Sequence, residues 1–265
     1  LNSYAQNVNI PDANFKAYLV GNTLINTNAD TEIQVSEASA FGGTISCCCQ
    51  NISDLTGIEA FTALTSLWCN NNQLTSLDLT QNTALTFLYC YTNQLTSLDV
   101  TQNTALTFLD CYTNQLTSLD VTQNTALTVL YCGYNQLTSL DVTQNTALTR
   151  LYCNNNQLTC LNVKNGNNIN FFDEFNATAN PNLTCIEVDD VTWSNTNWTQ
   201  IDPQTSFSTN CNNPCTVGIN ELSNTPKQLL KIVDLMGRET PYKPNTVLIY
   251  VFDDGSTEKV FKMEE

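Results

Sequence analysis

Between Leu64 and Leu148 the chain repeats itself every 21 residues, with copies starting at Leu64, Leu85, Leu106, Leu127 and Leu148. A period of this size is the mark of a solenoid, because one unit cannot bury its apolar face alone and stacking gives a continuous core. Each copy reads, with small departures, L-x-x-L-x-C-x-x-N-x-L-x-x-L-D-V-T-Q-N-T-A. The first half alternates with period two, so Leu88 and Cys90 point inward while Phe87, Tyr89 and Tyr91 point outward.

Upstream, the stretch from Ile45 fits one 22-residue copy, with Ile45 and Cys47 in register with Leu67 and Cys69. Downstream, Phe175 and Ala177 take the places of Leu151 and Cys153, and Leu183, Ile186 and Val188 those of Leu158, Leu161 and Val163. About seven coils over residues 45–190 result. The pattern resembles the leucine-rich repeat in its short bacterial form, and the first coil looks like that of internalin-type proteins. The resemblance implies a curved, right-handed solenoid with a parallel β-sheet on its concave face. It also implies a ladder of inward Asn72, Asn93, Asn114, Asn135 and Asn156, whose amides satisfy backbone groups where the chain leaves the strand. The second half, L-T-S-L-D-V, has nearly the same grammar, so the convex side is a candidate second strand column, as in a two-sheet β-helix.

A solenoid needs covers at its ends, where core and sheet edge are otherwise exposed. Residues 7–44 supply an N-terminal cap: Asp12 starts a helix that places Phe15, Tyr18 and Leu19 on one face and stops at Gly21. Residues 191–215 supply the C-terminal cap, with Trp193, Trp198 and Phe207 as plugs.

Comparison of the copies locates the candidate site. The leucines, the cysteine and the asparagine hardly vary, whereas four outward positions do. The third reads Ser66, Phe87, Phe108, Val129, Arg150 and the fifth Trp68, Tyr89, Asp110, Tyr131, Tyr152. The seventh reads Asn70, Tyr91, Tyr112, Gly133, Asn154 and the eighth Asn71, Thr92, Thr113, Tyr134, Asn155. Stacked strands about 4.8 Å apart gather these into one aromatic surface. The candidate ligand-binding residues are therefore Trp68, Phe87, Tyr89, Tyr91, Phe108, Asp110, Tyr112, Tyr131, Tyr134, Arg150 and Tyr152. An aromatic patch in water implies a docking surface; the bland alternative is that the rings only stack along the ladder and stabilise the sheet.

Six cysteines (Cys47, Cys69, Cys90, Cys111, Cys132, Cys153) fall in one inward column, where Cys serves as a small apolar residue. Thiols in a line do not converge on a tetrahedral metal, so no metal and no cofactor are expected. Cys160, Cys185, Cys211 and Cys215 are disulfide candidates for the C-terminal cap, with Cys211 paired to Cys160 or Cys185; this requires an oxidising setting. Cys48 and Cys49 have no assigned role. Asp78, Asp99, Asp120 and Asp141 stack outward, which calls for screening, hydrogen bonds from Thr or Gln, or intervening cations such as calcium.

The chain has no histidine, which removes imidazole-based catalysis and metal sites. Residues 1 to 215 carry three bases, Lys16, Arg150 and Lys164, against seventeen acids. Such a body cannot neutralise phosphates, and nucleic acid is not an expected partner. No apolar run reaches the length of a membrane helix. For catalysis the best candidates are Asp110 and Arg150, roughly 10 Å apart by strand spacing, and Asp110 lacks the second carboxylate of glycoside hydrolysis. A non-catalytic protein is expected.

The last fifty residues hold six bases against eight acids and have no repeat. Residues 216–225 read as a linker. In 226–265, strand-like runs Leu229 to Leu235, Val247 to Phe252 and Glu258 to Met263 suggest a small β-sandwich, the last two joined by a tight turn at Asp253-Asp254-Gly255-Ser256. This segment resembles the C-terminal sorting domain of the Bacteroidetes type IX secretion system, on Asp234-Leu235-Met236-Gly237-Arg238-Glu239, Asn245 with Leu248-Ile249-Tyr250, Asp254-Gly255 and Glu258-Lys259-Val260. The resemblance implies Gly237, Arg238, Asn245, Asp254, Gly255 and Lys259 as the sorting signal, and passage across an outer membrane to the cell surface or medium. Residues 1–6, LNSYAQ, read as the remnant of a signal peptide. Together these give the expectation of a secreted or surface-displayed monomer that binds an extracellular protein or polysaccharide and engages the type IX machinery. A structural surface spacer without a ligand, and a carbohydrate-active enzyme acting through Asp110, are the alternatives.

Overall fold

The computed structural model describes residues 6–171, 174–212, 215, 229–233, 240, 247–252 and 257–261. The chain divides into two compact units, residues 1–218 and 219–265. The first holds helices α1 (Ala13–Gly21), α2 (Val35–Ala40) and α3 (Val191–Asn197). Its strands are β1 (Thr44–Ser46), β2 (Ser66–Trp68), β3 (Phe87–Tyr89), β4 (Phe108–Asp110), β5 (Val129–Tyr131), β6 (Ser139–Asp141), β7 (Arg150–Tyr152), β8 (Cys160–Asn162), β9 (Phe175–Asn176), β10 (Cys185–Glu187) and β11 (Ser206–Ser208).

Seven of these form one parallel sheet in the order β1-β2-β3-β4-β5-β7-β9. Neighbours pair with an offset of one repeat, Phe87 with Phe108 and Tyr89 with Asp110, so equivalent positions stack into columns. The strands are three residues or fewer because the alternating pattern lasts no longer. Just beyond each, one residue turns the backbone into the left-handed region: Asn51, Asn71, Thr92, Thr113, Tyr134, Asn155 and Ala179, with φ between 52° and 56°.

The asparagine that follows holds the turn. Nδ2 of Asn93 donates to the carbonyls of Cys69 (3.1 Å) and Cys90 (3.0 Å), while its Oδ1 accepts from the Leu74 amide at 3.0 Å. Asn72, Asn114, Asn135 and Asn156 repeat the pattern, and Asn180 extends it by one coil. The sequence reading missed Asn180 because inserted residues displace it from the period. It also missed a second buried asparagine column, Asn82, Asn103, Asn124 and Asn145, each fully buried and donating to carbonyls of the preceding coil. The constant Asn between a buried Val or Leu and the next Leu was the signal for it.

Inside run the columns of leucine and of Cys47, Cys69, Cys90, Cys111, Cys132 and Cys153, all fully buried and reduced. Burial pushes their thiols up, Cys47 and Cys153 to about 12, which leaves them unreactive near neutrality. At one end α1 starts at Asp12, whose Oδ1 accepts from the Asn14 and Phe15 amides, and it sends Phe15 and Leu19 into the same core. At the other, Trp198 is nearly fully buried, stacked on Phe175 at 4.1 Å, and its Nε1 donates to the Phe171 carbonyl.

The convex side departs from a uniform second column. A parallel sheet in the order β11-β10-β8-β6 runs only from Ser139 onward; the equivalent stretches of the earlier coils are not strands. On this side Ser139–Asp141 pairs with Cys160–Asn162, and the pairing continues through β10 to β11. There the convex strands are tied by two disulfides, Cys160–Cys215 and Cys185–Cys211. Cys211 thus pairs with Cys185 rather than Cys160.

The second unit contains β12 (Leu229–Val233), β13 (Val247–Phe252) and β14 (Thr257–Phe261), a single antiparallel sheet in that order. The expected sandwich is, among the described residues, this one layer. Lys259 lies in β14 opposite Ile249, whereas Gly237, Arg238, Asn245, Asp254 and Gly255 lie outside the described residues.

Candidate binding face

The concave sheet aligns the fifth-position side chains into a chain of rings. Trp68 meets Tyr89 at 5.2 Å between centroids, and Tyr131 stacks on Tyr152 at 4.8 Å. Asp110 interrupts the column between Tyr89 and Tyr131, and Phe108, two residues earlier on the same strand face, fills the break. Its ring stacks on Tyr89 at 4.5 Å and meets Tyr131 edge-on at 5.8 Å. Trp68 to Tyr152 is therefore one continuous stripe. Trp68 and Phe87 are each 43 % exposed, so its N-terminal half opens to solvent.

Tyr112 and Tyr134 form a separate pair at 5.0 Å on the turn side. Tyr112 lies over Gly133: a Cβ there would sit 2.5 Å from Cε2 of the ring. Tyr91 is partly buried beside this pair's row and makes no ring contact within it. Tyr134 itself occupies the left-handed turn position.

Charge on this face is sparse. Arg150 and Glu174 approach to 3.8 Å, and Glu174 also accepts from the Tyr152 hydroxyl at 2.7 Å. That hydrogen bond, with burial, pushes the Tyr152 phenol up to about 12. Sequence reading overlooked Glu174 because it lies in the coil where the period loosens. Asp110 stands apart: the Tyr112 amide donates to its Oδ1 at 3.1 Å, and no cation lies within ion-pair distance among the described residues. Burial raises its carboxyl to about 6.

On the opposite face Asp78, Asp99, Asp120 and Asp141 each accept from the backbone amide of the threonine two residues on, between 2.8 and 3.0 Å. These turn hydrogen bonds hold Asp78 and Asp99 below the usual carboxylate range. Among the described residues no three His, Cys, Asp or Glu side chains converge as a metal site, and no helix is long and apolar enough to cross a membrane.

The repeat, the parallel sheet and the asparagine ladder define a leucine-rich repeat solenoid. Residues 125–166 match the family of Leucine Rich repeats (2 copies), and the chain is a leucine-rich repeat protein with internalin-like structural neighbours. An internalin, InlF, from Listeria monocytogenes aligns with a TM-score of 0.55 and 21 % identity over 76 % of this chain and 58 % of its own. The functional domain of InlJ from the same organism, which includes a cysteine ladder, is 31 % identical over 70 % of this chain and 52 % of its own, with a TM-score of 0.45. The chain thus spans somewhat over half the length of these two proteins. No curated protein matches the sequence.

Proposed function

We propose that this is an exported, non-catalytic binding protein that captures an extracellular macromolecule on the concave aromatic stripe. The observation that carries the reading is the unbroken run of rings from Trp68 to Tyr152, open at Trp68 and Phe87, on a frame that is otherwise constant. Ring contacts alone would also arise in a purely stabilising ladder. Two large apolar side chains left exposed, and a half-buried charge amid the rings, add nothing to stability and suit recognition. Protein is the favoured ligand class, in keeping with leucine-rich repeat proteins generally.

In this reading 7–44 and 191–215 cover the ends of a monomeric solenoid, and 226–265 direct export through the type IX machinery. The disulfide-bonded end supports an oxidising destination. The test is an array screen of the full chain against extracellular proteins and glycans beside a Tyr89→Ala/Tyr131→Ala/Tyr152→Ala variant shown to be folded. Saturable binding that the variant loses is expected; equal binding by both, or none by either, overturns the assignment in favour of a structural spacer. Deleting 226–265 in a host with that secretion system is expected to retain the protein inside the cell.

A further inference from the structure

We propose that the Asp110 carboxylate is the counter-ion for a guanidinium or ammonium side chain of a basic protein partner, received between the rings of Tyr89 and Tyr131. The proposal rests on the reading of the concave face as a binding surface and names the chemistry of its ligand.

Three observations carry it. First, Asp110 takes a place that is aromatic in the other four regular coils, Trp68, Tyr89, Tyr131 and Tyr152. Its strand pairs put Tyr89 on one side and Tyr131 on the other. A carboxylate between two aromatic residues offers an organic cation a charge partner with rings beside it, and a ring acts on a cation within about 6 Å of its centroid. Second, the carboxylate is half-buried and has no cation within ion-pair distance among the described residues. The Tyr112 amide supplies one hydrogen bond, and the nearest base of the face, Arg150, is engaged by Glu174. Burial of a lone charge is costly, and its pKa is displaced accordingly. Third, residues 1 to 215 hold seventeen acids against three bases, so a basic partner is attracted over a distance whereas an acidic one is repelled.

Phe108 completes the device. Its ring bridges Tyr89 and Tyr131 and also lies 6.2 Å from Phe87. The Phe108 ring fills the space between Tyr89 and Tyr131, so an entering cation must displace it and replace its contacts with those two rings.

The experiment is titration of the full, isotope-labelled chain with acetyl-Gly-Gly-Arg-Gly-Gly-amide, followed by the backbone amide resonance of Tyr112, which reports directly on Asp110. Saturable movement of that resonance is expected, weakened about tenfold or more in Asp110→Asn and in Tyr89→Leu/Tyr131→Leu, unchanged in Asp99→Asn, and absent when citrulline replaces the arginine. Asp110→Asn keeps the acceptor for the Tyr112 amide, so its fold is checked by the remaining resonances. Equal binding by Asp110→Asn, equal loss in Asp99→Asn, binding of the citrulline peptide, or no response overturns the proposal. An Asp110-dependent response to a glucosamine oligomer but not to the peptide overturns the assignment to protein. An array ligand that needs the tyrosines but not Asp110 would leave the binding face standing and sink this inference alone.

Discussion

The Tyr112 hydroxyl accepts a 3.3 Å hydrogen bond from Nδ2 of Asn154, two coils away, and the ring reaches it by crossing the bare Cα of Gly133. One side chain thus ties three consecutive coils on the turn side of the concave face. The glycine, which looks like one more variable letter in its column, is the condition for that span.

Gly133→Ala puts a methyl group 2.5 Å from Cε2 of Tyr112 and 2.8 Å from Oδ1 of Asn154. Overpacking of this kind costs about 1–3 kcal/mol. Chemical denaturation should show that loss, and most of it should disappear in Gly133→Ala/Tyr112→Ala. An additive double variant would mean the ring is not the obstacle.

Asp110 predicts an unusual pH dependence. Its carboxyl is raised from the ordinary value of 3.8 to about 6 by burial in the fold, so the folded state holds the proton more tightly. This group therefore strengthens the fold as pH falls through that window, and above it the buried charge costs on the order of 2–3 kcal/mol. Asp110→Asn should be more stable than the parent at pH ~8, with the gain vanishing by pH ~4. A gain independent of pH would show that the charge is not the cause.

Thr92 and Thr113 occupy left-handed turns, both at φ 53°, where Asn71 and Asn155 stand in equivalent coils. A β-branched residue is strained there, whereas asparagine tolerates the conformation. Thr92→Asn and Thr113→Asn should each stabilise by about 0.5–1 kcal/mol, additively, in thermal unfolding. Destabilisation would indicate that the hydroxyls make a contribution the backbone geometry does not reveal.

The disulfides Cys160–Cys215 and Cys185–Cys211 span 55 and 26 residues. Loop-closure entropy for such spans corresponds to about 3–4 kcal/mol each. Replacing Cys185 and Cys211 by Ser should raise amide exchange in β10 and β11 while leaving β3 and β4 protected. Uniform loosening of all coils would argue that the solenoid unfolds as one block and the staple is not local.

The strict period of 21 was enough to read the inward leucines, the thiol column, the first asparagine ladder and the aromatic columns, because register one repeat apart makes sequence position and spatial column the same thing. Where the period slips, that equivalence fails: Asn180 and Glu174 sit in the irregular coil and were invisible until folded neighbours placed them against Leu158 and Tyr152. Contacts between columns were also beyond the repeat, since they depend on side-chain direction rather than on spacing. Phe108 turning across to mend the break at Asp110, Tyr112 reaching over Gly133, and the choice of Cys215 for Cys160 were decided by tertiary packing. The sequence by itself determined a stack of near-identical coils with a variable aromatic face; only the three-dimensional structure decided that this face half-buries one carboxylate, Asp110, with no ion-pair partner among the described residues, because burial is a property of neighbours and not of the residue.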